Sequence, residues 1–326
     1  MTVWIIPVSS PMGIYWLPDA IIFSINVDPH LGTPTINIGL IENKGAELDL
    51  SMNWFESQDG LNWSSSFNWS TNDAIVIDLG EDTDRIVFAG FGTLGNAAIP
   101  GESLGSIIGS SITRLGGRIE NSRWVDGGDY VVNNQGSYDE TFDPTIIGDA
   151  NPDWIANLSN TISYKNLSLN FLFNYQQGGD IFTYTVATLL GRGLTTDTLD
   201  RELSFVLPGV NSNGQPNTKM INNSTFYFSN VLYGPDEMLV YDASHWRLGE
   251  VSLSYNLPKN LIESTPFGSI SITASGFNLA YNAWNTPEGT NFDPNIAGVG
   301  IGNGRGFDFI NGPSARRYGG SIKLTF

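Results

Sequence analysis

Tyr318-Gly-Gly-Ser-Ile-Lys-Leu-Thr-Phe326 alternates without a slip and stops on an aromatic carboxy terminus. Tyr318, Gly320, Ile322, Leu324 and Phe326 share one face, and Gly319, Ser321, Lys323 and Thr325 share the other, because successive side chains of a strand point to opposite faces. One surface is apolar and its reverse tolerates a lysine. A strand of this kind at a chain end is the pattern expected of a closing strand in a transmembrane barrel.

The same two-faced pattern recurs upstream. Ala46, Leu48, Leu50, Met52 and Trp54 alternate with Glu47, Asp49, Ser51 and Asn53. After a polar turn ending in Asp59-Gly60, Leu61, Trp63, Phe67 and Trp69 alternate with Asn62, Ser64, Ser66 and Asn68. This predicts a hairpin with one greasy side. Its polar side carries two carboxylates, which a packed interior would bury only at a cost of several kcal/mol each, roughly. A second hairpin is predicted from Trp154 to Tyr175 around a Lys165-Asn166 turn. Trp154, Ala156, Leu158, Ile162, Tyr164, Leu167, Leu169, Phe171, Phe173 and Tyr175 lie on its apolar side, and Leu172 is the exception on the polar side. In the stretch from Trp246 to Pro258, Trp246 and Leu248 fall on the polar parity, and a bulge near Gly249-Glu250 restores the register. Aromatic residues gather near strand ends, at Trp54, Trp69, Trp154, Tyr164 and Tyr175, where an interfacial girdle places them.

Composition narrows the function classes. The chain has 326 residues, a formal net charge of −18 and no cysteine. Strong acidity argues against nucleic acid as a partner, and the lack of cysteine removes disulfides and thiolate metal sites. No apolar run is long enough for a transmembrane helix. Met1 to Val8 shows no basic region and no secretory core, so a fragment of a longer protein is expected. Long polar or glycine-rich stretches, 71–105, 116–152, 178–236 and 282–314, read as the long loops of a barrel, with a short helix expected between Thr195 and Leu207. Val3 to Val8 and Ile21 to Val27 read as further strand pieces.

Catalytic and metal constellations find little support. His30 and His245 are the only histidines, far apart and without an i, i+4 partner. The Gly298 to Gly306 run misses the spacing of a phosphate-binding loop. Acidic groups at Asp78, Glu81, Asp82 and Asp84, or at Asp126 and Asp129, lack the EF-hand pattern and read as solvated charge. Glu47 and Asp49 are neighbours on one strand face and do not flank a bond. No cofactor and no enzymatic activity are expected.

Four stretches carry a family resemblance: Ile41-Glu-Asn-Lys-Gly-Ala-Glu-Leu48, with Asn43, Gly45 and Glu47; Ile147-Gly-Asp-Ala-Asn-Pro-Asp-Trp154, with Gly148, Asp149, Asn151, Pro152, Asp153 and Trp154; Trp246 to Pro258, with Arg247, Leu248 and Pro258; and the terminal strand. In this order they resemble the carboxy-terminal part of the SusC/RagA-type TonB-dependent outer-membrane transporters. The resemblance implies an all-β fold, an antiparallel transmembrane β-barrel represented by about 8 to 10 strands of a larger barrel, with long extracellular loops. It implies that residues 1–326 are the carboxy-terminal portion, with the plug and the amino-terminal strands missing. It further implies outer-membrane lipid of a Gram-negative bacterium, a SusD-like surface lipoprotein, the TonB system acting through the missing plug, and import of oligosaccharides or peptides. Tyr318, Ile322, Leu324 and Phe326 would then be the barrel-assembly signal. The loop from Tyr281 through Asp293 has the aromatic and amide composition of a substrate contact, at Trp284, Asn285 and Asp293. The alternative is a surface-exposed β-sandwich binding or adhesin module, in which the apolar faces are buried.

Overall fold

The alternating segments form a wall of seven long strands: β1 (Leu40–Phe55), β2 (Leu61–Asp78), β3 (Trp154–Tyr164), β4 (Leu167–Gln177), β5 (His245–Asn256), β6 (Ser269–Asn282) and β7 (Arg317–Thr325). Each pairs antiparallel with the next in sequence, and Trp4–Ile5 and Tyr15–Leu17 add to the outer edge of β1, giving a nine-stranded sheet. The computed structural model describes residues 39–80, 83–296 and 304–326, with four short strands before them, Trp4–Ile5, Tyr15–Leu17, Ile22–Ser24 and Thr35–Asn37. The rest of the Val3–Val8 and Ile21–Val27 readings, His30, Glu81, Asp82 and Gly298 to Asn303 of the glycine run lie outside the described residues.

The connections alternate in length as the meander turns. Residues 56–60 join β1 to β2, and a two-residue turn at Lys165 and Asn166 joins β3 to β4, with Lys165 at φ 51°. The connections β2–β3, β4–β5 and β6–β7 are long and leave from the other end. Short turns at one end and long excursions at the other match the layout of an outer-membrane barrel wall. No helix among the described residues is long and apolar enough to cross a membrane.

The long connections are not merely loops. They fold into a cap with its own core. The first supplies a four-stranded sheet, ordered Thr145–Asp149, Ser106–Gly109, Leu94–Ala98, Ile86–Phe91. The second and third meet where Asp180–Thr183 pairs antiparallel with Val240–Asp242 and parallel with Phe307–Asp308. Ile107, Phe182, Val186, Leu190, Val231, Leu239, Phe292 and Phe307 are buried together, so all three connections share one apolar cluster. Burying that many large side chains, at ~1.5–3 kcal/mol each, gives the cap a driving force of its own.

The helix expected between Thr195 and Leu207 falls instead at Tyr184–Gly191, and only a 3₁₀ turn, Thr196–Thr198, forms in the predicted window. Val186, Ala187 and Leu190 give the true helix a buried stripe, and Thr183 caps it by accepting a hydrogen bond from the Val186 N–H at 3.2 Å. In the Thr- and Asp-rich window the Thr198 hydroxyl donates to the Thr195 carbonyl at 2.8 Å, a local bond that favours a turn over a continuing helix. Asp308 reinforces the cap from the third connection, accepting from the Thr183 hydroxyl at 2.7 Å and the Thr185 N–H at 3.0 Å. A carboxylate at a helix N-terminus also faces the positive end of the helix dipole.

Candidate functional site: the two faces of the wall and the cap above it

Register converts alternation into continuous rows across the wall. On the apolar face Leu50, Phe67, Leu158, Phe173 and Leu248 stand opposite one another in turn, and Phe55, Trp63, Ile162, Leu169 and Leu253 form a parallel row. Among the described residues nothing covers this face: Leu50 is 36 % exposed, Leu158 36 %, Leu253 45 % and Ile322 67 %. The register shifts at Gly249 between Leu248 and Glu250, which turns Trp246 and Leu248 onto the apolar face. A Cβ at Gly249 would lie 2.5 Å from the Asn174 Oδ1, so a larger residue there would displace that side chain.

Aromatic rings close the apolar band at both rims. Toward the cap, Trp154 stacks on Tyr175 at 4.9 Å, Trp284 lies 5.7 Å from Tyr175, and Trp246 stacks on Phe173 at 5.5 Å. At the short-turn end, Trp54, Phe55 and Trp63 cluster, and Phe267 meets Phe326 at 5.1 Å. Between the rims, β3 covers ~34 Å along its own axis at ~3.4 Å per residue, and a tilt of about 45° reduces this to ~24 Å. That is the height of the apolar band on an outer-membrane barrel, about 25 Å.

Asn160 and Ser65 are polar side chains that stand opposite each other in this band. Asn160 is 4 % exposed. Its Oδ1 accepts from the Trp63 Nε1–H at 3.0 Å and from the Ser65 hydroxyl at 2.5 Å, while Ser65 accepts from the Trp54 Nε1–H at 2.9 Å. Local pairing satisfies these groups where water is scarce.

The reverse face is a polar stripe. Asp49, Asn68, Asn157, Asn174, Arg247 and Tyr281 form one row. Asn174 donates to Asn157 at 2.5 Å and Asn157 to Asn68 at 2.8 Å, a carboxamide ladder across three strands. Two lower rows bond likewise: in one Thr161 donates to Asn170 at 2.8 Å, and in the next Ser254 and Thr273 share a hydrogen bond at 2.8 Å.

Two of the motif stretches lie where the wall meets the cap, the first through Ile41, which packs with Ala98. In Gly148 to Trp154, the Asp149 Oδ1 accepts from the Asn151 N–H at 2.9 Å, and the Asn151 amide donates to the Leu104 carbonyl at 2.8 Å and to Ser103 at 3.0 Å. The Thr71 hydroxyl donates to the Asp153 carbonyl at 2.6 Å, fixing β2 to the start of β3. Pro152, between Asn151 and Asp153, is half-buried. A Cβ at Gly148 would press on Asp180 at 2.9 Å. Asp180 accepts from the Asp149 N–H at 2.8 Å, and burial raises its carboxyl above the ordinary range, with the neighbouring Asp242, Asp149 and Asp153 pushing the same way. In Ile41 to Leu48, Lys44 pairs with Glu42 at 2.6 Å, Glu47 is exposed, and the Asn43 Oδ1 is buried without a partner among the described residues. A Cβ at Gly45 would meet the Thr71 carbonyl at 2.7 Å. Pro258 follows β5 and precedes the short helical turn Lys259–Ile262.

The sequence-selected contacts Trp284, Asn285 and Asp293 are not gathered at one point. Trp284 joins the aromatic rim of the apolar face, and Asn285 is exposed in the turn after β6. Asp293 is 1 % exposed and ion-paired to Arg247, which also donates to the Asn278 Oδ1 at 2.9 Å. Tyr318, Ile322, Leu324 and Phe326 are all exposed along β7. The cap also buries acids that sequence reading did not single out: Asp236 accepts from the Ser110 N–H at 2.9 Å and its hydroxyl at 3.1 Å, and burial raises its carboxyl despite those bonds. Asp126 is ion-paired with Arg118 at 2.7 Å, and no group of three or more potential metal ligands occurs among the described residues.

No protein-family profile matches the chain. Among curated proteins it is 28 % identical over 257 residues to TonB-dependent receptor P3 of Formosa agariphila, covering 74 % of this chain and 24 % of that protein. It is 27 % identical over 316 residues to TonB-dependent receptor P26 of the same organism, covering 89 % of this chain and 30 % of the relative. Among solved structures, the RagAB peptide importer in its open-open state superposes with a TM-score of 0.59 at 18 % identity, over 94 % of this chain and 31 % of that one. The RagAB peptide transporter gives 0.56 over 91 %. The chain therefore spans about a quarter to a third of the length of the proteins it matches. In sequence along most of its length, and in its antiparallel wall, the chain is similar to the TonB-dependent receptors of the SusC/RagA type, the resemblance its motifs carry.

Proposed function

We propose that this chain is the carboxy-terminal wall and cap of a TonB-dependent nutrient transporter in the outer membrane of a Gram-negative bacterium. One observation carries the reading: an uncovered apolar band ~24 Å tall, rimmed by aromatics, backs directly onto a hydrogen-bonded polar face. The apolar face meets lipid, and the polar face lines a lumen. A β-sandwich module would cover one of these faces, yet Leu158 and its neighbour Ser159 are both exposed.

The plug and the amino-terminal strands belong, in this reading, to the rest of a longer protein. The free edge of β7 supports this, because unpaired backbone groups cost several kcal/mol each in hydrocarbon, roughly, so other strands must complete the wall. The cargo is an oligosaccharide or a peptide, and a SusD-like lipoprotein docks on the cap. RagAB is a peptide importer by its description, and the likeness in fold is compatible with either cargo. The TonB system supplies energy through the plug. The relatives are receptors and transporters, and the chain is assigned no reaction. Of the expected substrate contacts, the exposed Asn285 is kept as one reached from the cap side, while Trp284 belongs to the aromatic rim and the buried Asp293 to Arg247; Tyr318, Ile322, Leu324 and Phe326 are kept as the assembly signal.

Fractionation tests the reading. The chain is expressed with an export signal, alone and together with the amino-terminal half of the full-length protein. Recovery in the outer membrane when both halves are present is expected, and a soluble, folded monomer under both conditions would refute it.

A further inference from the structure

In the cap a cavity of about 540 Å³ opens between two pairs of aromatic rings, within the size range of small-ligand pockets. Tyr130 and Tyr138 meet edge to face at 5.8 Å, and Phe205 and Phe226 do so at 5.7 Å. These walls are fixed by the fold. Phe205 lies on the strand Ser204–Val206, paired with Met220–Asn222. The Tyr138 N–H donates to the Asn230 Oδ1 at 2.7 Å, and Asn230 is fully buried. Tyr138, Phe205 and Phe226 all rest on the buried cluster of Val132, Leu207 and Ile221.

Glu237 is the charged residue of the lining. Burial raises its carboxyl above the ordinary range, against the Ile112 backbone N–H that holds it and the nearby charge of Arg114, both of which favour the carboxylate. Arg114 lies 5.4 Å over the Tyr130 ring and 5.9 Å over Trp124 without lining the cavity, and its charge also acts on Glu237, so one face of Tyr130 is taken and the opening is left with Tyr138, Phe205 and Phe226 as its other rings.

Each ligand class makes a different demand on this lining. An anion meets Glu237 and is repelled. A wholly apolar ligand buries the carboxylate against hydrocarbon without compensation. A sugar needs several converging donors and acceptors, whereas the remaining walls are rings and the aliphatic groups of Ile112, Leu207 and Met238. A cation on an apolar stem answers every feature, with ring faces and a carboxylate for the charge and aliphatic walls for the stem. We infer that this cavity binds an organic ammonium group carried on an apolar stem, as in a small alkylamine or a lysine side chain. The inference stands whether or not the ligand is transported.

The test titrates the full-length protein, solubilised in detergent, with n-pentylammonium, n-pentanol and n-pentanoate in separate calorimetric runs. Pentylammonium is expected to bind saturably and at least about tenfold more tightly than either probe, a factor worth ~1.4 kcal/mol. Glu237→Gln is expected to remove that preference while leaving pentanol unchanged. Equal binding of pentanol and pentylammonium, no saturable binding, or full retention of the preference in Glu237→Gln overturns the inference. Should Glu237→Gln fail to fold, the three-probe comparison on the unaltered protein decides alone. Membrane fractionation of the expressing cells before solubilisation reads the transport proposal separately, so either can fail without the other.

Discussion

Leu158→Arg against Ser159→Arg tests the two-faced wall most directly, because the residues are neighbours on β3 and point opposite ways. Leu158 stands four residues from Trp154 at the upper rim and six from Tyr164 at the lower, between Phe67 and Phe173. At ~3.4 Å per residue and a tilt of about 45°, these steps put it ~10 Å below one rim and ~14 Å above the other, close to the midplane of the band. Arginine at the midplane of a barrel's lipid face costs ~2–4 kcal/mol, falling to ~0–1 kcal/mol near the interfaces. Leu158→Arg is therefore expected to lower the folding equilibrium constant in bilayers by roughly 30- to 700-fold, at a factor of ten per ~1.4 kcal/mol. Ser159→Arg faces water on the polar side, and a surface substitution of this kind stays within about 0.5 kcal/mol.

The assay is reversible denaturant unfolding of the full-length protein refolded into lipid vesicles, with Tyr164→Arg as the rim control. In water alone Leu158, already 36 % exposed, would tolerate arginine, so the cost belongs to lipid contact rather than to a packed core. Equal effects of the two substitutions, or a neutral Leu158→Arg, would refute the assignment of faces. A rim substitution as costly as the midplane one would refute the placement in depth.

Replacing Asn160 by Leu strips the Trp63 and Ser65 donors of their acceptor within the apolar band, and is expected to destabilise by about 1–3 kcal/mol in the same vesicle assay; a stabilised variant would show that those donors find other partners. Burial holds the folded-state pKa of Asp236 above its ordinary value. The folded cap therefore takes up this proton at higher pH than the unfolded chain, so its contribution is unfavourable above the raised pKa and is relieved as pH falls toward the unfolded value near ~4. Asp236→Asn should flatten that part of the stability profile between pH 7 and 4, and an unchanged profile in thermal unfolding counts against it. Deleting Phe326 removes the ring that packs on Phe267, and is expected to reduce recovery of the full-length protein in the outer membrane without altering cap-ligand titrations; unchanged recovery excludes it from the assembly signal.

The wall was legible because a half-exposed strand writes its two environments into alternate residues. The slip at Trp246 and Leu248 even located the bulge, since the register shifts across Gly249, between Leu248 and Glu250. The cap was illegible for the converse reason. Ser106–Gly109 is buried at every position and carries no alternation, and Phe307–Asp308 is too short to show a period. Its partners come from distant connections: Thr183 meets Asp308, and Phe182 stacks near Phe307, across stretches that the sequence shows only as polar and glycine-rich. Composition likewise marked Trp284 and Asp293 as one loop, whereas one ring belongs to the apolar rim and the carboxylate to Arg247 on the other face.

Rows, rather than faces, decide what the wall can do. The two-residue turn at Lys165 and Asn166 alone sets Asn157 opposite Asn174, but bringing Asn68 into the same row depends on the long β2–β3 connection, which no local signal encodes. Within that ladder Asn157 uses one N–H on Asn68 and one lone pair on Asn174, so its second N–H and second lone pair stay free. The ladder itself offers uncharged donors and acceptors, and it is flanked in its row by a carboxylate at Asp49 on one side and the Arg247 guanidinium on the other. The cap's rings and buried acids are fixed by a core drawn from all three long connections, and on the transport reading proposed above the least legible part of the sequence is where specificity is to be sought.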